Sequence, residues 1–89
     1  MSEQKPLSVN GVVAFSIEQF AEVAWQKLGL HPDPITGSIE MNLAEAKTAI
    51  DVVGFLAEKL ESQLDDDDKR RVQGLVADLR INFVQKSGG

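Results

Sequence analysis

The middle of the chain carries apolar side chains at alternating spacings of three and four residues, which only a helix gathers onto one face. This stripe consists of Leu43, Ala46, Ile50, Val53, Ala57, Leu60 and Leu64. Asn42 precedes the stripe and Glu45 follows three residues later, a pattern typical of a helix N-terminus. The sequence therefore predicts a long second helix from about residue 43 to about residue 63.

A first helix is predicted upstream, because Ser16 and Gln19 have capping-box spacing. One face of this helix would then be lined by Ile17, Phe20, Ala21, Ala24 and Leu28. Gly29 suits the left-handed position after a helix, Leu30 is the apolar residue that folds back, and Pro32 forbids continuation. We therefore expect helix one to end near Leu28, with Trp25 on the flank of its stripe.

A third helix follows the run of four aspartates at residues 65–68, which suits a turn and an acidic first helical turn. Its apolar face consists of Val72, Leu75, Val76, Leu79 and Phe83, and we expect it to end near Gln85. Few residues separate helices two and three, so they should be antiparallel neighbours. The predicted fold is all-α, with helix one packed across the hairpin of helices two and three.

The 89 residues fit one domain, with a loose N-terminal segment (1–14), a helical core (15–86) and a flexible tail (87–89). Pro6 and the pair Asn10 and Gly11 are the breakers that suggest the loose segment. Two prolines predict an ordered turn at residues 32–37, which begins at Pro32 and ends at Gly37. Residues 38–42 alternate in polarity, as in a short extended segment.

Charge and composition narrow the classes of partner. The formal net charge is −5 and the pI is about 4.7, which disfavours nucleic acid and anionic membrane surfaces as partners. The chain has no cysteine, which excludes disulfides and thiolate chemistry and suits the cytoplasm. The apolar run of residues 12–15 is too short for a signal-peptide core or a membrane span, so we expect no targeting segment.

The aspartate run and the single histidine are the first candidates for a metal site. A calcium loop of the EF-hand type needs alternating acidic residues, a central glycine and a distal glutamate, so a helix cap is the better interpretation of the run. His31 would need carboxylates such as Asp33 and Glu40 to bind a metal. A loop histidine held by backbone contacts is the favoured interpretation.

A polar face on helix two is the remaining candidate for chemistry. It carries Lys47, Asp51 and Glu58, of which Lys47 and Asp51 have the spacing of an ordinary surface ion pair. Together with His31, Asp33 and Thr36 of the turn, this face would form a small-ligand or metal site. No catalytic residue, cofactor site or complete metal-ligand set is identified, and we expect a protein that is not an enzyme.

Apolar residues off the main stripes form the one feature beyond an ordinary helical domain. These residues are Val52 and Phe55 on helix two, and Ala77, Ile81 and Val84 on helix three. They predict an interface of a homo-oligomer, most simply a two-fold dimer. Alternatively, Phe20 or Trp25 of helix one covers them within one chain. Gly54, beside the stripe, either permits close helix approach or is simply a tolerated glycine.

The sequence also resembles a known family through PDPITGSIEMNLAEAKTAIDVVGFLAEKL and the later LRINFV. The family pattern is a PDPxTG turn, NLxxAKxxIDxLxxLxEK, an acidic turn and an LRxxFV-like end, and it covers roughly residues 15–85. This family is the domain of unknown function 1844, a bacterial group of small acidic helical proteins. The resemblance implies a bacterial, mostly helical protein and carries over no activity, cofactor or catalytic residue.

Two functional hypotheses follow. The favoured one is a non-enzymatic, self-associating module for protein–protein interaction or scaffolding, because apolar helix surface exceeds what one small core needs. The alternative is a small-ligand or metal-binding protein that uses the turn of residues 32–37.

Overall fold

Three helices make up the computed structural model, which describes residues 6–88. They are α1 (Val9–Lys27), α2 (Leu43–Leu60) and α3 (Asp66–Lys86), and a single 3₁₀ turn at Glu61–Gln63 follows α2. Over this described range no strand forms, and residues 38–42 contribute only an isolated antiparallel bridge between Leu28 and Met41. The all-α prediction is confirmed.

The first helix begins eight residues earlier than predicted, at Val9 instead of just after Ser16. Ser8 is the N-cap, and its hydroxyl accepts a hydrogen bond of 3.3 Å from the backbone N–H of Gly11. Residues 9–14 are therefore helical, and their prediction as a loose segment is wrong. Asn10 and Gly11 are tolerated because they lie in the first turn, where the backbone N–H groups have no intrahelical partner. The same prediction for residues 1–5, like that of a tail at Gly89, lies outside the described residues.

The end of α1 has the predicted left-handed cap. Gly29 has a φ of +80°, and its N–H donates to the carbonyl of Gln26. The N–H of Leu30 donates to the carbonyl of Trp25 at 3.0 Å, which completes a Schellman motif. A residue with a Cβ would be strained at this φ, so glycine allows the chain to turn towards α2.

The starts of α2 and α3 also follow their sequence signals, whereas α2 ends at Leu60, three residues before the predicted end. Asn42 caps α2 by accepting from the N–H of Glu45 at 3.1 Å, and Asp65 caps α3 by accepting from the N–H of Asp68 at 2.8 Å. The first turn of α3 contains the other three aspartates. The aspartate run is thus a helix cap and an acidic first turn, which confirms that interpretation.

The second helix lies between the other two and contacts both. Lys27 and Glu45 form an ion pair of 3.1 Å, and the N–H of Asn42 donates to the carbonyl of Lys27, so the end of α1 lies beside the start of α2. Helices α2 and α3 form the predicted antiparallel hairpin, in which Arg80 lies against Gly54 and Lys69 lines the same groove as Glu61. The core contains Ile17, Ala21, Ala24, Leu28, Ala46, Ala49, Ile50, Val53, Leu60, Val76 and Leu79. Helix α1 packs mainly on α2 and touches α3 little.

None of the helices in the described part of the chain combines the length and apolarity that crossing a membrane requires.

Candidate interaction surface

The apolar residues predicted to form an interface are largely exposed. Phe55 is 57% exposed, Ile81 54% and Val84 50%, and Ala77 is exposed as well, whereas Val52 is half-buried. Helix α1 therefore leaves Phe55 and Ile81 uncovered, contrary to the intramolecular alternative. Lys59 places its ammonium 5.1 Å from the centre of the Phe55 ring, a cation–π contact that shields only part of this ring.

These five residues do not form one continuous patch. Ala77 lines a groove between α2 and α3, and Val84 lines a smaller neighbouring pocket. Val52 lies instead on the α1 side of α2, as the register between the two helices shows. Phe20 lies seven residues before Lys27, and Val52 lies seven residues after Glu45. Phe20 and Val52 therefore lie two helical turns from the ion pair, along the same contact between α1 and α2. The predicted interface is thus split between two sides of the molecule.

A second exposed apolar stripe, which is not among the predicted surfaces, lies on α1. It contains Val9 (78% exposed), Val12 (46%), Phe20 (40%) and Val23 (39%). Ser16 completes the stripe, whose residues are separated by three, four, four and three positions. The stripe therefore lies about 100° around α1 from the buried row of Ile17, Ala21 and Ala24. The predictions that Phe20 lies on the buried face and that Val9 and Val12 lie in a loose segment are therefore wrong. These helical spacings of three and four residues are the sequence signal that identifies the stripe.

The groove between α2 and α3 has a volume of about 300 Å³. Its lining combines apolar residues with the polar side chains of Glu58, Glu61, Lys69, Gln73 and Arg80. A Cβ added at Gly54 would lie 2.8 Å from Nη2 of Arg80, so the missing side chain leaves room for this guanidinium. The group that approaches Gly54 is therefore the end of a side chain of α3, not the α3 backbone that a close approach of the helices would bring there.

The turn of residues 32–37 is ordered, as predicted, and uses its own polar groups. Oδ1 of Asp33 accepts hydrogen bonds from the N–H groups of Ile35 at 2.7 Å and Thr36 at 3.1 Å. The bond from Thr36 and then that from Ile35 lower the pKa of Asp33 below its ordinary value. The hydroxyl of Thr36 lies 2.9 Å from that of Ser38. These contacts define the shape of the turn and already engage Oδ1 of Asp33 and the hydroxyl of Thr36.

His31 is held by a backbone contact, as expected, because its N–H donates to the carbonyl of Trp25 at 3.3 Å, and it is also held by a side chain. Its Nδ1 lies 3.0 Å from Oε2 and 3.1 Å from Oε1 of Glu22 on α1. The hydrogen bond from His31 is the main reason that the pKa of Glu22 is lowered. The ring centres of His31 and Trp25 are 6.1 Å apart. This cluster ties the chain after α1 to the side of that helix.

The polar face of α2 does not join the turn. Lys47 and Asp51 form an exposed ion pair of 2.9 Å, as predicted. Glu58 lies eleven residues from Lys47, about 16 Å along the helix at 1.5 Å per residue, and lines the groove with α3. Neither a hydrogen bond nor an ion pair connects His31, Asp33 or Thr36 to this face among residues 6–88. Within the same range, no group of three or more potential ligands could hold a metal ion.

Comparison with protein families assigns the chain to one of them. The model of the domain of unknown function DUF1844 matches residues 13–85, which is most of the chain. The chain belongs to the DUF1844 family. No curated protein and no solved structure matches it.

The exposed apolar residues lie partly inside and partly outside the range that the DUF1844 model matches. It contains all five residues of the predicted interface and all six residues of the turn and the polar face. The α1 stripe begins before it, since Val9 and Val12 precede residue 13. In this DUF1844 protein, the stripe is thus formed partly by residues outside the matched range.

Proposed function

We propose that this protein is a non-enzymatic, self-associating module for protein–protein interaction or scaffolding. The observation that supports the proposal is the distribution of large apolar side chains in residues 6–88. Thirteen of them are at least 39% exposed, whereas only seven of the eleven buried core residues are larger than alanine. Single exposed apolar residues are ordinary, but so many on such a small domain point to surface that another protein covers.

The physical benefit of self-association follows from the size of the chain. An 89-residue domain buries a smaller fraction of its surface than a larger one does, and four of its eleven core residues are alanines. Buried apolar area contributes roughly 25 cal/mol per Å². A second copy is the simplest partner that supplies such area, because two-fold dimers are the commonest assemblies of identical chains.

The alternative, a ligand or metal site at the turn of residues 32–37, has less support. The Oδ1 atom of Asp33 already accepts two backbone hydrogen bonds, and His31 is paired with Glu22. A ligand that binds there would have to compete with these contacts. Thermal melts with divalent cations test this alternative, because a ligand that binds the native state raises the Tm.

The proposal is tested by the mass of the full chain in solution. Light scattering coupled to size-exclusion chromatography should give a multiple of the 9.7 kDa chain mass at high micromolar concentration, with dissociation on dilution. A mass of 9.7 kDa over the whole range would refute self-association. A cation-dependent rise in Tm together with that monomer mass would favour the alternative.

A further inference from the structure

The exposed stripe of α1 is itself arranged as half of a symmetric interface. We propose that a second copy of this chain docks on it with its own α1 antiparallel to the first, around a two-fold axis at Ser16. Phe55 and Lys59 of α2 flank the contact, because they lie one and two turns beyond Val52, on the side of α2 on which Glu45 pairs with Lys27. This inference rests on the proposed self-association and assigns it a surface.

The spacings between the residues of the stripe are the same when they are read in either direction along α1. Its five residues are separated by three, four, four and three positions, so reversing the helix superimposes the stripe on itself. An antiparallel copy thus places Val9 against the second copy's Val23 and Val12 against the second copy's Phe20. Ser16 meets its own equivalent at the axis. A two-fold interface needs this property, because each residue contacts a residue of the same surface.

The residue sizes suit a close approach of the two helices. A small serine lies at the centre, where the helices cross, and each valine at position 12 faces a phenylalanine. Alternation of large and small side chains across facing positions lets them interdigitate. The stripe is about 21 Å long, since it spans fourteen residues at 1.5 Å each.

The exposed area agrees with the requirement of a stable dimer. The apolar side chains of the stripe together with Phe55 expose roughly 450 Å², if a fully exposed side chain counts about 150–200 Å². A standard interface buries about 800 Å² per partner, of which somewhat more than half is apolar. The stripe without Phe55 falls short of this amount, so the α2 flank belongs to the interface.

Charge also favours this surface over the outer edge of α3. The stripe itself contains no charged residue; Lys59 lies at its α2 flank, and the ion pair between Lys27 and Glu45 lies at its end. On α3, in contrast, the exposed apolar residues Ala77, Ile81 and Val84 span only about 10 Å and adjoin Arg80. The centres of interfaces are depleted in charged residues.

The axis can be tested with single cysteines, because the natural chain has none. Under mild oxidation, Ser16→Cys should give a disulfide-linked dimer, since two-fold symmetry brings the two sulfurs together. The matched control is Glu18→Cys, which lies two residues on and about 200° around α1. It should cross-link at least tenfold more slowly. Equal rates for the two variants would overturn the proposed axis.

A second experiment introduces charges on either side of the proposed axis, and its result does not depend on disulfide geometry. Val12→Glu should raise the dimer dissociation constant at least tenfold, because two unpaired carboxylates enter an apolar contact. Its circular dichroism should remain that of the wild type, since Val12 is 46% exposed. The double variant Val12→Glu, Phe20→Lys should restore association, because the two positions face each other across the axis. Ile81→Glu is the control and should leave the dimer intact.

These results separate this inference from the proposed function. A wild-type dimer that Ile81→Glu dissociates and Val12→Glu does not would refute the α1 surface and retain self-association. A wild-type monomer at high micromolar concentration would refute both.

Discussion

Truncation of Leu79 to alanine tests the packing of α3 against the rest of the core. Leu79 is fully buried in the middle of α3, and the substitution removes three carbon atoms from this position. Their transfer from water contributes about 2.4 kcal/mol at roughly 0.8 kcal/mol per methylene. The cavity that remains adds a further cost, which brings typical Leu→Ala changes to about 2–5 kcal/mol. Because α3 is held mainly by α2, it can shift inwards, and we expect a loss of about 3 kcal/mol.

That loss is a large part of the 5–15 kcal/mol that stabilises a typical domain. For a chain of this size it corresponds to a fall in Tm of roughly 12–24 °C. The assay is thermal unfolding followed by circular dichroism at one fixed protein concentration, because association raises the apparent Tm. Ile81→Ala is the control, since this residue lies two positions further on and is 54% exposed. A Leu79→Ala variant that melts within a few degrees of the wild type would show that the assigned helix face is wrong.

Two further predictions concern the helices themselves. Gly74→Ala should stabilise the protein by about 0.5–1 kcal/mol, because alanine is the better helix former and its Cβ meets nothing within 4 Å. Gly54→Ala should raise the free energy of unfolding by less, since its Cβ would displace the guanidinium of Arg80. Urea unfolding compares the two variants, and a larger gain in stability at Gly54 would contradict the close approach of Arg80. Asp65→Ala should cost about 0.5–2 kcal/mol through loss of the α3 cap, and an unchanged urea midpoint would contradict this role.

Helix positions were predictable where several local signals agree. At the start of α2, the cap residue Asn42, the following Glu45 and the apolar stripe all indicate the same boundary, and the helix begins at Leu43. At the end of α1, the left-handed glycine and the nearby Pro32 indicate the same stop. Local hydrogen bonds determine these ends, and local sequence therefore predicts them.

The start of α1 was not predictable in this way, because two serines compete for the cap. Ser16 has the better capping-box spacing, yet Ser8 is the cap used, and Ser16 lies inside the helix. The choice follows from packing five residues beyond Ser8, since Val13 contacts the core and favours helix through that turn. Tertiary contacts override local propensity here.

The separation of the turn from the polar face of α2 was not predictable for a related reason. Residue types and spacing show which side chains share a helix face, but the distance between a turn and that face depends on how the helices cross. Lys47 and Asp51 were correctly predicted as a pair because they are one turn apart on one helix. The contact between His31 and Glu22 joins residues of different elements, and no periodicity indicates it.

The small residues in the core connect the fold to the exposed stripe. Ala21 and Ala24 on α1, with Ala46 and Ala49 on α2, are all buried. Alanines allow two helices to approach closely, but each removes only one methyl group from water. The larger residues of α1, such as Phe20 and Val23, lie on its outer flank, where a single chain leaves them partly exposed. Further burial of these side chains requires a second apolar surface, and the self-complementary spacing of the stripe is the reason to assign that surface to another copy of this chain.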